Sequence, residues 1–250
     1  DTGLRADNFQ SIIFYIFIPV LVFESAYNID KQALKKDLVV ILSLAIIVLF
    51  ITCGIAAVLL FYGIGHETGF PWLAALITAS IIAATDPVAV VDQMKKLGAP
   101  RRISILLEGE SLFNDASAIV LFGLFLSMAT AAELLAPSSA VVSVFDVIVQ
   151  FLQIFAGGSL TGLLVGLSFG FLQKKIRQKL LKGVMSLVVA YGSYLLAEYL
   201  MVSGVMSTLM AALSFSILSQ SEQESADAGN RYLWDMLSHV ANVCVFLVVG

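Results

Sequence analysis

Between Leu106 and Phe122 the chain reads LLEGESLFNDASAIVLF. The run is apolar enough for a membrane interior, yet it carries Glu108, Glu110 and Asp115 and no Lys or Arg. A charged side chain at mid-bilayer costs roughly 2.5–3.5 kcal/mol on insertion scales unless it is paired or hydrated. Acids kept in such a place line a water path, bind an ion or carry a proton. Helical spacing sorts the polar groups into two stripes. Glu108, Ser111 and Asp115 stand at i, i+3, i+7, and Glu110, Asn114 and Ser117 at i, i+4, i+7. Ser111 is therefore one turn below Asp115 and can share a bound cation with it. Counted from Ile103 at 1.5 Å per residue, Asp115 is about 18 Å along the helix, past the midplane of a ~30 Å core. Such an acid can hold a proton or a small cation and exchange one for the other. The plainer alternative is a structural carboxylate facing an Arg elsewhere in the bundle, and it suits Glu110 better than Asp115.

A second motif is IIAATDPVAVV, from Ile81 to Val91. Pro87 has no N–H, and its ring clashes with the carbonyl of Ala83. Asp86, as the residue before proline, is pushed out of α geometry. Asp at the N-cap with Pro at the first helical position is a helix-start signal, and here it falls inside an apolar stretch. The expectation is a broken helix, one half to about Ala84 and the other from Pro87, with Asp86 capping the second half. The break would free carbonyls near Ala83–Thr85, and these with the Thr85 hydroxyl can coordinate a small cation. A plain proline kink in a packed helix accounts for the same residues. Glu24, in PVLVFESAYNID, reads as an interfacial carboxylate or as the mouth of an ion pathway. Glu198 is a further acid near a span end.

These residues need a scaffold. Of 250 residues 59% are hydrophobic and 13% charged, more apolar surface than a soluble core of that size hides. The fold class is all-α, a polytopic transmembrane bundle. The ten-residue alternation of a membrane β-barrel is missing. Runs near the ~20 residues that a span needs lie at about 9–28, 38–63, 71–94, 103–131, 142–172, 184–200, 203–219 and 232–250, giving about eight spans. The sixth and seventh are short and meet at a tight Val202–Ser203–Gly204 turn. Of the 14 Lys and Arg, all but Arg5 fall in alternate loops. Eight spans put those loops on one face, as the positive-inside rule asks, so the N-terminus is expected outside and the basic loops in the cytoplasm. Ser219–Arg231 reads as a solvated acidic connection. Gly157, Gly158, Gly162 and Gly166 in the fifth span read as close helix contact. Cys53 and Cys244 lie in apolar runs with no metal spacing. A net charge of −4 gives no ground for a nucleic-acid partner. The chain opens on Asp and closes inside an apolar run, and is expected to be an internal fragment.

Four stretches in order carry a family resemblance: PVLVFESAY, ATDPVAVV, LLEGESLFNDASAIVLF with its GES-x-x-ND pattern, and AEYLMVSGVMSTLMAAL. The chain resembles the monovalent cation:proton antiporter family, in its NhaP-like sodium/proton exchanger branch, across nearly its whole length. The resemblance implies an antiporter-type inverted-repeat fold, here incomplete by about two spans at the front and three at the back. It implies that Asp115 binds cation or proton, that Ser111 and the Thr85 carbonyl are ion ligands, and that Glu24 contributes to the cation site. Asn114, Asp86 and Glu110 become supporting residues: Asn114 partners Asp115, Asp86 compensates half-helix ends, and Glu110 pairs with an Arg beyond Gly250. Asn114 stands where electrogenic relatives have a second Asp, which implies electroneutral one-for-one exchange. The cargo would be Na⁺, or Li⁺ or K⁺, against H⁺, with no cofactor and no enzymatic activity. The protein would be a multi-pass homodimer in the lipid bilayer, in the cell's inner (plasma) membrane or an organelle membrane. Residues 38–131 would form the ion-binding core, and 1–37 with 132–250 the dimer or scaffold side. Rival readings are a cation channel, a transport-inactive sensor of the same fold, and an intramembrane aspartyl protease using Asp86 and Asp115, whose usual Gly-x-Gly-Asp context is lacking.

Overall fold

A computed structural model describes residues 12–64, 70–134, 144–176, 178–219 and 224–249. All regular structure among them is helical. In chain order the helices are α1 (Ile13–Asn28), α2 (Lys31–Gly63), α3 (Trp72–Ile82), α4 (Val88–Lys96), α5 (Arg101–Leu134), α6 (Val144–Gln173), α7 (Lys179–Tyr199), α8 (Gly204–Ser219) and α9 (Glu224–Val249). Two short π-helical segments interrupt the α geometry, Ile13–Phe17 in α1 and Leu44–Val48 in α2. Among the described residues, four helices are long and apolar enough to cross a membrane: α2, α5 over Arg101–Ala131, α6, and α7 over Leu180–Tyr199. The other expected spans are shorter apolar helices, and the third is divided between α3 and α4.

The chain forms two compact units. One holds Ile29–Phe155, with α2 to α5 and the start of α6. The other holds the N-terminal residues to Asn28 together with Ala156–Gly250. We call them the Asp115 unit and the terminal unit.

In the Asp115 unit, α5 packs on α2, α3 and α4. Its inward stripe, Phe113, Ala116, Val120, Leu121 and Leu124, is buried. Gly109 lets α2 approach, because a Cβ there would meet Ile41 and Leu34 side chains at 2.9 Å. Ile47, Ile51 and Ile55 stand one turn apart on α2 and are all exposed, an arrangement suited to hydrocarbon rather than water. Asp30 caps α2, accepting from the backbone N–H of Gln32 and Ala33 at 3.1 and 3.2 Å, so Lys31–Asp37 is the first part of a helix rather than a loop. Ion pairs gather here. Arg101 Nη2 meets Asp30 at 2.6 Å, and Arg102 grips Asp37 with two nitrogens at 2.6 and 2.9 Å. Gly98, at φ +71°, turns the chain between α4 and α5 in the left-handed region that glycine adopts at little cost.

In the terminal unit α8 is central, packing on α1 and α7. From Val205 to Ser216 nearly every side chain is buried. Buried hydroxyls are satisfied by backbone: Ser207 Oγ donates to the Ser193 carbonyl at 2.8 Å and Thr208 Oγ1 to that of Ala190 at 3.4 Å. Gly158, Gly162 and Gly166 of α6 face the Ser203, Ser207 and Ala211 carbonyls so closely that an added methyl would collide with them. This matches the close contact expected of those glycines. Bundles in lipid gain by such backbone approach, because the surroundings are as apolar as the side chains. The α7–α8 turn has Met201 at φ 59°. Glu198 Oε1 accepts from Gly204 N–H at 3.1 Å, and Ser203 Oγ accepts from Met206 N–H at 3.1 Å. Glu198 is thus a helix-start acceptor.

Two expectations are corrected. The connection Ser219–Arg231 is not all loop: α9 is helical from Glu224, because its polar opening, ESADAGNR, includes the helix formers Glu224, Ala226 and Ala228; residues 220–223 lie outside the described residues. The half-helix α4 begins at Val88 with Pro87 in the N-cap place and no side-chain cap bond, so Asp86 stands one residue too early for the capping position foreseen. Proline, with a fixed ring and no side-chain acceptor, gives no cap of its own.

Candidate functional site

The helix break is real. α3 ends at Ile82, Ala83 turns, and Ala84 to Pro87 are non-helical before α4 starts at Val88. Backbone groups of the break then need partners other than a continuous helix, and α5 supplies them. Ser111 Oγ donates to the Thr85 carbonyl at 3.0 Å. Asn114 Nδ2 donates to Thr85 Oγ1 at 3.1 Å and to Glu110 Oε1 at 3.0 Å. Thr85, Ser111, Asn114 and Glu110 are therefore one connected group. The two proposed ligands, Thr85 and Ser111, touch directly.

The chemistry of the group follows from its lone pairs. A carbonyl oxygen has two, so Thr85 O accepts from Ser111 and keeps one for another donor or a cation. Ser111 Oγ spends its hydrogen on that bond and keeps acceptor capacity. Asp115 is on the same helix one turn from Ser111, its side chain exposed in the chain, with Asp86 and Glu110 as the other acids in its electrostatic neighbourhood. Asn114 is 2% exposed, and its Oδ1 is buried with no hydrogen-bond partner. Its amide is the hinge pin between break and helix. Glu110 meets this amide.

Glu108 finds a different partner. Lys95 Nζ of α4 lies 2.8 Å from Glu108 Oε1, and that carboxylate holds the Lys95 ammonium above its usual range. This pair answers part of the charge imbalance of the 106–122 run. It could not be read from α5 alone, because the lysine is on another helix.

Glu24 belongs to the terminal unit. It is half-buried, and its Oε1 accepts from Asn28 Nδ2 at 2.7 Å. The same nitrogen donates to Asp235 Oδ1 at 3.0 Å. Neither Asn28 nor Asp235 stood out in the sequence. The spacing Glu24 to Asn28, i to i+4, was the available signal for the first. An acid beside Trp234 in an otherwise apolar span was the signal for the second.

The chain matches the family model described as "Sodium/hydrogen exchanger, transmembrane" over residues 4–250. It is 32% identical over 244 residues to the Na(+)/H(+) antiporter ApNhaP of Aphanothece halophytica, covering 96% of this chain and 44% of that protein. It is 31% identical over 248 residues to the Na(+)/H(+) antiporter NhaG of Bacillus atrophaeus, covering 97% and 45%. Among solved structures, the sodium proton antiporter MjNhaP1 from Methanocaldococcus jannaschii at pH 8 superposes with a TM-score of 0.76 at 20% identity, covering 99% of this chain and 59% of that one. The chain thus spans less than half the length of these curated relatives.

Proposed function

The chain belongs to the sodium/hydrogen exchanger family of integral membrane transporters, and from that premise we propose that the intact protein exchanges Na⁺ for H⁺ across a membrane. Exchange is one for one and electroneutral, because a single carboxyl, Asp115, binds either cargo and never both. Ser111 and the Thr85 carbonyl complete the cation ligands, and Glu24 contributes to the cation path. Asn114, Glu110 and Asp86 support the group. The observation that carries this reading is the 3.0 Å bond from Ser111 to the Thr85 carbonyl at the helix break. It joins two oxygen ligands one turn from an acid on an apolar helix. Li⁺ or K⁺ are alternative cargoes, and no cofactor is needed. Residues 38–131 act as the ion-carrying core, and 1–37 with 132–250 as the scaffold and homodimer side. The cell's inner membrane is the proposed site of action.

The test is transport by the full-length protein in proteoliposomes, with Na⁺, Li⁺ and K⁺ offered in turn and internal pH followed by a trapped dye. Competition for one site makes the apparent Na⁺ KM rise as pH falls, by at most about tenfold per pH unit. Asp115→Asn should abolish cation-dependent proton movement while the protein still elutes as a folded species. Retained exchange in that variant, or a Na⁺ KM indifferent to pH, overturns the assignment. Cation flux without proton counterflow would make the protein a channel.

A further inference from the structure

Where α1 ends and α9 begins its apolar stretch, one amide serves two acids. Asn28 Nδ2 is 2.7 Å from Glu24 Oε1 and 3.0 Å from Asp235 Oδ1. A side-chain amide nitrogen has two hydrogens, so each carboxylate takes one. Asn28 Oδ1 is buried and accepts no hydrogen bond among the described residues. Turning the amide over would bury the nitrogen in its place and set the oxygen against two carboxylates. The nitrogen-forward orientation is therefore the one that both acids select, and each acid holds it for the other.

The helices carrying these groups are tightly joined at this level. Phe23, next to Glu24, packs on Trp234, next to Asp235, with ring centroids 4.3 Å apart. Trp234 is fully buried and donates from Nε1 to Ser186 Oγ of α7 at 3.0 Å. The backbone beneath Asp235 is thereby fixed relative to Glu24, although the Asp235 side chain itself is exposed. Two carboxylates held by one neutral donor put more negative potential beside Glu24 than Glu24 alone would.

We propose that Asp235 is a positioning residue for cation handling at Glu24. Through Asn28 it holds the Glu24 carboxylate in one orientation, and its charge draws cations to that carboxylate. The inference rests on the reading of Glu24 as part of the cation path.

The experiment uses the full-length protein in proteoliposomes at one fixed pH, with Na⁺ as the probe and both KM and maximal rate recorded. Asp235→Asn, which keeps an acceptor for Asn28 but removes the charge, should raise the Na⁺ KM on the order of three- to tenfold, the range expected when a hydrogen bond to a charged group becomes a neutral one, with maximal rate and melting temperature near wild type. Asp235→Glu should restore most of the affinity. In a Glu24→Gln background, Asp235→Asn should add nothing further, because its effect passes through Glu24. An unchanged KM in Asp235→Asn, while Glu24→Gln raises it, overturns the role of Asp235 and leaves that of Glu24 standing. An unchanged KM in Glu24→Gln overturns the reading of Glu24, and this proposal with it. A lowered melting temperature with wild-type KM assigns Asp235 to structure alone and also overturns it. Should Asp235→Asn not fold, Asn28→Ala breaks the same bridge: a raised KM that vanishes in the Glu24→Gln background supports the proposal, and a wild-type KM overturns it.

Discussion

Replacing Asn114 by Ala sets opposed effects against each other, and the structure lets them be weighed. The wild-type amide donates to Glu110 Oε1 at 3.0 Å and to Thr85 Oγ1 at 3.1 Å. A hydrogen bond to an ionised acceptor contributes about 1.5–3 kcal/mol, and the half-buried position of Glu110 argues for the low end. Thr85 is exposed in the chain, so its hydroxyl loses less. Removing the side chain from a site only 2% exposed also leaves a small cavity, which adds roughly 1 kcal/mol. On the other side, Asn114 Oδ1 is buried without a partner, and deleting it relieves a desolvation penalty of about 1–3 kcal/mol. The losses win narrowly, giving a net destabilisation of about 1–2 kcal/mol and a fall of roughly 1–4 °C in the melting temperature of the larger intact protein. The assay is thermal unfolding of the purified intact protein in one detergent, for Asn114→Ala, Thr85→Val and the double variant. Coupling between the two should be about 1 kcal/mol, because one bond joins them. An Asn114→Ala protein as stable as wild type, or additive behaviour in the double variant, would mean that the amide does not tie the helix break to α5.

Other expectations follow from packing and charge. Gly162→Val should abolish a stable fold or sharply lower membrane yield, because the added carbons meet the Ser207 backbone carbonyl and cannot be cleared by a rotamer change; normal yield and melting would show that α6 and α8 are not in backbone contact. Arg102→Gln should change the melting temperature little, and any loss should disappear at high salt, because its partner Asp37 is met at a solvent-facing end and screening weakens such pairs. A large, salt-independent loss in that variant would assign the pair to a desolvated setting.

The site was legible in the sequence where its logic is local. Pro87 removes a backbone donor and blocks the carbonyl four residues back, so the break between Ile82 and Val88 follows from one residue. Ser111, Asn114 and Asp115 share a helix, and 3.6-residue spacing alone fixes which faces they occupy. The links that span long sequence distances were not legible. Lys95 meets Glu108 from a different helix, and Asp235 reaches Asn28 across 207 positions. Nothing in a linear pattern selects those partners, since only packing of α4 on α5 and of α9 on α1 brings them together. The polar, acidic run after Ser219 looks like a loop, but polarity does not oppose helix where the residues themselves are helix formers. Ordinary helix-start chemistry points to Asp86 as the N-cap, whereas this start follows a break and Pro87 takes the position.

The π-helical turn at Leu44–Val48 amounts to one residue of slack wound into α2. Each residue of an α-helix rotates the chain by about 100°. Were the same residues wound as regular α-helix instead, everything before them would swivel by about that angle. Asp37, upstream of the turn, would swing off the guanidinium of Arg102, and the helix start at Asp30 would leave Arg101. The azimuth of the charged end of α2 is thus set by a surplus residue in its apolar middle.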